Sequence, residues 1–247
     1  MERLLYIAMT GAKHTLQAQQ VNNHNLANVS TPGFRADLDS LLSAPMRGPG
    51  YPDRAYVQET LVGTDFRQGA LLTTGRDLDV AINGDGWIAV QAPDGTEAYT
   101  RRGDLRIGPN GLLQTGSGEL VLGNAGPIAI PPAQKLEIGA DGTISIVPIG
   151  QPANTLAVLD RIRLVRPDHA DLVKGPDGLF RLRDGGQALP DGTVRLTAGA
   201  LESSNTNAVD ALVKMIDQAR SFETYVKLIG AAKENDETSA RLLRQNG

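Results

Sequence analysis

The sequence predicts an α+β protein, with N- and C-terminal helices pairing as a coiled-coil-like helical domain around a central antiparallel β-rich domain. Three observations carry this expectation. Apolar residues recur at four-three spacing near both ends of the chain, the period of a helix seam. Between those stretches, proline–Asp/Asn–glycine triplets punctuate short β-prone runs, the chemistry of hairpin tips. A proline- and glycine-rich stretch follows the first helix and marks an extended connection.

The first helix rests on residues Leu4 to Leu26, which contain no proline and one glycine, Gly11. Leu5, Met9, Ala12, Leu16, Gln19, Asn23 and Leu26 step by four and three along one face. The stripe turns polar at Gln19 and Asn23, and Thr31-Pro32-Gly33 then ends the helix because proline cannot continue it. Arg3 followed by Leu4 to Met9 opens like a signal peptide, but the apolar run closes too early for an h-region. An amphipathic helix and no cleaved signal are therefore expected.

Ser43 to Tyr56 holds Pro45, Pro49 and Pro52 with Gly48 and Gly50, and reads as an extended linker within residues 35–75. The β-rich domain then spans residues 76–198. Its tips are Pro93-Asp94-Gly95, Pro109-Asn110-Gly111, Ala140-Asp141-Gly142, Pro176-Asp177-Gly178 and Pro190-Asp191-Gly192. Proline presets the first corner, Asp or Asn tolerates the second, and glycine takes the left-handed position that follows. Trp87-Ile88-Ala89-Val90, Thr143-Ile144-Ser145-Ile146 and Thr193-Val194-Arg195-Leu196 are the β-prone runs beside them.

Residues 199–247 form the C-terminal helical segment. Ala208, Leu212, Met215, Ala219, Phe222, Val226, Ile229, Lys233, Asp236, Ala240 and Leu243 keep the four-three alternation without a slip. Ser203, Ser204, Asn205 and Asn207 supply capping side chains upstream, Asp210 sits in the first turn, and Arg241 and Arg244 close the last. The expected division is thus a helical domain from 1–34 with 203–247, the linker 35–75, the β-rich domain and the C-terminal helix.

Composition narrows the function. The 28 acidic residues outnumber the 24 basic ones, a net charge of -4, so no basic face for nucleic acid is expected. Cysteine is absent, which removes disulfides, thiolate nucleophiles and cysteine metal sites. No run has the roughly 18 apolar residues of a membrane span. His14 and His24 lie too far apart along a helix to share a metal, and Asp77 to Ile82 lacks the oxygen ligand and glycine of a calcium loop. Gly84-Asp85-Gly86 and Gly116-Ser117-Gly118 are incomplete as nucleotide or nucleophile motifs. No catalytic residue, cofactor or metal is expected. Arg161, Arg163, Arg166, Arg181, Arg183 and Arg195 alternate with apolar residues, so they read either as one solvated sheet face or as a contact face for an acidic neighbour.

Three stretches then carry a resemblance. Asn23 to Arg35, with its Asn25-Leu26-Ala27-Asn28 core and Thr31-Pro32-Gly33-Phe34 stop, resembles the N-terminal signature of flagellar rod and hook proteins. His24 stands where the family commonly has asparagine. Gly75 to Trp87, with Asp79, Gly84, Gly86 and Trp87, looks like its central motif, and Gly199 to Asn207, with Leu201, Glu202, Ser204 and Asn205, like its closing motif. The Asp85-Gly86-Trp87 sequence looks like that of a proximal rod protein. The resemblance implies a structural, non-enzymatic subunit of the bacterial flagellar basal-body rod, crossing the periplasm and exported without a cleaved signal. Its partners would be copies of itself, other proximal and distal rod subunits and the flagellar export apparatus. The subunit interface would comprise Leu5, Met9, Ala12, Leu16, Asn23 and Leu26 with Leu212, Met215, Ala219, Phe222, Val226 and Ile229. The alternatives are a distal rod or other rod/hook subunit, or a secreted β-rich binding module on a helical oligomerisation stalk.

Overall fold

Residues 2–38, 41–45, 55–59, 63–152 and 155–245 are described by a computed structural model, and they fall into two compact units. The first comprises residues 1–28, 36–65 and 206–247; the second comprises 29–35 and 66–205.

Two long helices dominate the first unit, α1 over Glu2–Ala27 and α2 over Ala208–Gln245. They pack side by side and run antiparallel: Asn22 near the end of α1 donates a buried 2.7 Å hydrogen bond to the Ala211 carbonyl near the start of α2, and Gly11 faces the Tyr225 ring. Asn207 starts α2, its side-chain oxygen accepting the Val209 amide at 2.9 Å. At the other boundary, Asn28 Nδ2 donates to the His24 carbonyl, satisfying one of the last free acceptors of α1.

The 35–75 segment, expected as an extended linker, contributes short strands. Asp37–Leu38 pairs with Gly63–Thr64, and Leu41–Pro45 pairs with Ala55–Glu59, both antiparallel. The runs flanking the prolines are β-prone, and Pro45 sits at a strand end, where its missing N–H costs least. Residues 46–54, which include Pro49 and Pro52, lie outside the described residues.

The second unit is β-rich, and every strand pairing described in it is antiparallel. Trp87–Gln91 is its central strand. It pairs along one edge with Glu97–Thr100, and along the other with Leu120–Val121 and Leu164–Val165. The sheet continues outward through Phe180–Leu182 and Leu172–Lys174 on one side, and through Leu113–Thr115 and Leu105–Ile107 on the other. A separate three-stranded sheet joins Ala133–Ile138, Thr143–Pro148 and Ala157–Arg161. The unbroken apolar run of the central strand follows from burial on both faces. Ile88 and Val90 enter one core cluster with Leu105, Leu113 and Ile144, while Trp87 and Ala89 enter another with Tyr99, Val165 and Phe180.

Four of the five expected tips close alike. The amides of Gly95, Gly111, Gly142 and Gly178 bond back three residues, and each glycine has positive φ. Pro190-Asp191-Gly192 differs, because the Asp191 amide is taken by the Leu164 carbonyl and Pro190 bridges Val165. Asp94, Asp141 and Asp191 accept hydrogen bonds from the threonine two residues on, which hold their carboxyls below the usual carboxylate range. Among the described residues, no helix is long and apolar enough to cross a membrane.

The helix pairing yields a sign test on two glycines. A Cβ at Gly11 would collide with the Tyr225 ring, whereas one at Gly230 meets nothing within 4 Å. Gly230→Ala is expected to stabilise α2 by about 0.5–1 kcal/mol, and Gly11→Ala to destabilise the pair despite the same propensity gain. Thermal melting followed by far-UV circular dichroism separates the two, and equal upward shifts would contradict the close approach.

Candidate functional site

The helix pair of the first unit covers one line of side chains and leaves another open. In α2 the covered positions are Ala208, Ala211, Met215, Gln218, Phe222, Tyr225, Ile229 and Ala232, stepping three and four. Those in α1 include Ala8, Gly11, Thr15, Ala18 and Asn22. Small residues along this line let the two backbones approach closely. The stripe read from the sequence shares Ala208, Met215, Phe222 and Ile229 with the covered line, and Leu5, Ala12, Gln19 and Leu26 are likewise covered or half-covered. Its remaining members face outward. Met9 is 51% exposed, Leu16 44%, Leu212 49% and Val226 48%, and Asn23 and Ala219 are exposed beside them. The side chains of Ala240 and Leu243 lie outside those described.

Sequence reasoning thus found the period but merged two adjacent lines. The larger apolar residues marked one phase, while the internal seam shifts by one position onto alanine, glycine and tyrosine. Val209, Val213 and Ile216 add to the open apolar surface of α2.

The motif residues of the N-terminal signature split between the units. In the first, Asn25 Nδ2 donates to the Asp37 carbonyl and its Oδ1 accepts the Asp37 amide, both at 2.8 Å. This two-way amide contact fixes the chain leaving α1. His24 Nδ1 lies 2.8 Å from Asp37 Oδ2, a partner for the residue that departs from the family pattern. Leu26 is half-buried and Ala27 exposed.

Within the second unit, Gly33 and Phe34 meet the central and closing motifs at one buried junction. Glu202 Oε1 takes Arg35 Nη1 and the Gly69 amide, and Oε2 takes Arg101 Nη1 at 3.2 Å. The Glu202 carbonyl also accepts the Gly33 amide at 2.7 Å. Arg101 Nη2 donates to the Gly84 carbonyl at 2.6 Å, and its guanidinium lies 5.5 Å from the Trp87 ring centroid. Lys174 Nζ reaches the Arg35 carbonyl at 2.8 Å and sits 4.1 Å from the Phe34 ring centroid. The Asn205 amide donates to the Phe34 carbonyl, and its Nδ2 to the Arg67 carbonyl. Asp79 accepts from Thr74 at 2.7 Å while its carbonyl takes the Gly199 amide. Gly86 packs where a Cβ would press on the Val194 methyls. Ser204 is buried and Leu201 half-buried.

The arginine and glutamate side chains of this junction are almost fully buried. Desolvation pushes Arg101 down to about 10, with Glu202 acting against it, so Arg101 stays a cation at neutral pH. Arg101 and Lys174 fall outside the three motifs. Arg101 is the first of an Arg101-Arg102 pair after a strand, and nothing in that spacing tells the buried arginine from the one that pairs with Asp104.

The arginines read as one face are on different sheets and largely engaged within the chain. Arg161 donates to the Asp141 carbonyl, Arg163 pairs with Glu97, Arg181 pairs with Asp177 and Asp94, and Arg195 donates to the Gly192 carbonyl. Among the described residues, no group of three or more His, Asp or Glu side chains is placed to hold a metal.

A β-rich unit closed by residues 33–35 and Glu202, and a helix pair made from α1 and α2, are the architecture of a structural subunit, with no constellation of catalytic groups among the described residues. Comparison with known proteins specifies it. Residues 81–146 match the family model described as flagellar hook protein FlgE/F/G D1 domain, and residues 197–242 match flagellar basal body rod FlgEFG protein C-terminal. The flagellar basal-body rod protein FlgF of Escherichia coli (strain K12) is 44% identical across 98% of this chain and 99% of its own length. That of Salmonella typhimurium (strain LT2) is 42% identical with the same coverage, and the FlgG rod protein of Bacillus subtilis (strain 168) is 32% identical over 95% and 96%. The chain belongs to the flagellar rod and hook protein family, among the basal-body rod proteins of the FlgF type.

Gly33 tests the junction. Its φ is +67° and a Cβ there would strike the backbone of Arg101, whereas Gly75 has φ +72° with open space. Gly75→Ala should cost only the left-handed penalty of about 1–2 kcal/mol, and Gly33→Ala clearly more. Urea unfolding monitored by Trp87 fluorescence measures both, and equal costs would mean that the Gly33 turn is not clamped against Arg101.

Proposed function

We propose that the chain is a structural, non-enzymatic subunit of the flagellar rod, in the proximal rod, assembling through the open line of its terminal helices. The observation that carries this is the two-sidedness of the helix pair. One line is covered within the chain, while Met9, Leu16, Leu212 and Val226 present a second apolar line to solvent. Apolar surface of this kind gains about 25 cal/mol per Å² when a neighbour covers it. Neighbouring copies and other rod subunits, proximal and distal, are the occupants that fit, each completing coiled-coil-like packing on its neighbour. Head-to-tail contact of this type propagates along a helical lattice without closing.

Helices that depend on tertiary packing are marginal alone, so joining the rod completes their stability. The Asn22 and Asn25 contacts set the register of the end of α1 against its partners within the chain. This reading includes export by the flagellar apparatus without a cleaved signal and a location in the rod as it crosses the periplasm. The family supports the rod.

Leu212 and Ile229 separate assembly from folding. Leu212→Asp places a charge on the open line, so the monomer should keep its helicity and lose incorporation into basal bodies, because the charge would be desolvated unpaired. Ile229→Asp loads the covered line and should reduce helicity in the monomer itself. Circular dichroism of the purified chains and basal-body recovery from complemented cells report the two effects. Normal swimming with Leu212→Asp would remove the open line as the assembly surface.

A further inference from the structure

The Glu202 junction is a closure that the β-rich unit cannot make piecemeal. Its carboxylate is 167 residues from Arg35, 133 from Gly69 and 101 from Arg101 along the chain. Two cations and one anion are buried together. Until Glu202 arrives, packing Arg35 and Arg101 into this interior sets two like charges in a poorly screened space with no carboxylate between them. Arg101 also lies against Trp87, in the central strand's aromatic cluster, so the charge cannot be deferred without leaving that core unfinished.

We propose that Glu202 is a folding latch: the β-rich unit remains open until the segment from 199 to 205 docks, and anything that holds this segment away keeps the unit open. The latch couples residues 33–35 and Gly69 to the 199–205 segment in one event, because the Glu202 carbonyl and carboxylate together seat Gly33, Arg35 and Gly69. It is a property of the chain and does not rest on the rod reading.

Trp87 is the single tryptophan, so refolding of the full-length chain from urea is read at the junction itself. Glu202→Gln keeps the shape and removes the charge. It is expected to lower the folded-to-unfolded ratio at least about a hundredfold and to place most of that loss in the refolding rate, as an interaction formed in the transition state does. The triple variant Arg35→Met/Arg101→Met/Glu202→Met removes the charges altogether and should refold within about threefold of wild type, since apolar replacement of a buried ion group is often tolerated. A Glu202→Gln chain that refolds at the wild-type rate and only unfolds faster would overturn the latch, as would a triple variant as slow as the single one. Should Glu202→Gln fail to fold, pulse-labelled hydrogen exchange of the wild-type chain decides. The Gly33 and Gly69 amides, which donate to Glu202, should gain protection in the same phase as those of Ala89 and Leu122 in the central sheet. Earlier protection of Ala89 and Leu122 would show that the sheet closes without it.

Discussion

A carboxylate held between two arginines in the interior of a β-rich unit is costly to form and more costly to break. Desolvation takes several kcal/mol from each ion, and the Coulomb attraction recovers this only with good geometry. At Glu202 both oxygens are engaged by Arg35 and Arg101, and one also takes a backbone amide. The arrangement therefore contributes less to net stability than to uniqueness. Any register in which 33–35, 69, 101 and 202 fail to meet leaves a buried charge unpaired. The N-terminal motif, the Gly84–Trp87 turn and the closing motif are thereby parts of one junction, although the sequence separates them widely.

The helix pair follows a different logic, in which small residues do the specifying. Ala8, Gly11, Ala211 and Ala232 let the backbones approach, and Tyr225 fills the space over Gly11. Close packing of small side chains removes modest apolar area, so the pair gains less from burial than a leucine seam would. Met215, Phe222 and Ile229 complete the covered line, while Met9, Leu16, Leu212 and Val226 stand on the open one. Internal pairing thus covers one line of these helices and leaves the other exposed in the chain.

Much of this was legible in the sequence, and what was not has physical causes. Helix period, hairpin tips and the apolar central strand follow from local rules: Pro93-Asp94-Gly95 closes in the way its residue types demand, and so do three of its counterparts. The phase of the helix seam did not follow, because Leu212 and Val226 outrank Ala211 and Tyr225 in hydrophobicity, yet it is Ala211 and Tyr225 that the helix pair covers. The hairpin of Leu41–Pro45 with Ala55–Glu59 was masked by the prolines between its strands. Glu202 was visible as a motif residue, but its partner Arg101 was not. Pairing across 101 residues leaves no local pattern to read.

The arginines show the same limit from the other side. Alternation with apolar residues correctly placed Arg161 and Arg181 on strands, yet it carries no information on which sheet each strand joins. Arg161 belongs to the three-stranded sheet and Arg181 to the larger one, and their partners are a turn carbonyl and the tip carboxylates of Asp177 and Asp94. Arg181 holds the Asp177 carboxyl below its ordinary range, as expected when a cation fixes the end of its own hairpin. These cations are committed to closing tips and edges, which weakens the idea of a continuous basic contact face. An acidic neighbour would have to displace intrachain partners to reach Arg163 or Arg181, whereas a neighbouring helix meets the open apolar line without undoing any contact. Selectivity in the proposed assembly therefore falls to the shape and phase of the helices more than to charge on the β-rich unit.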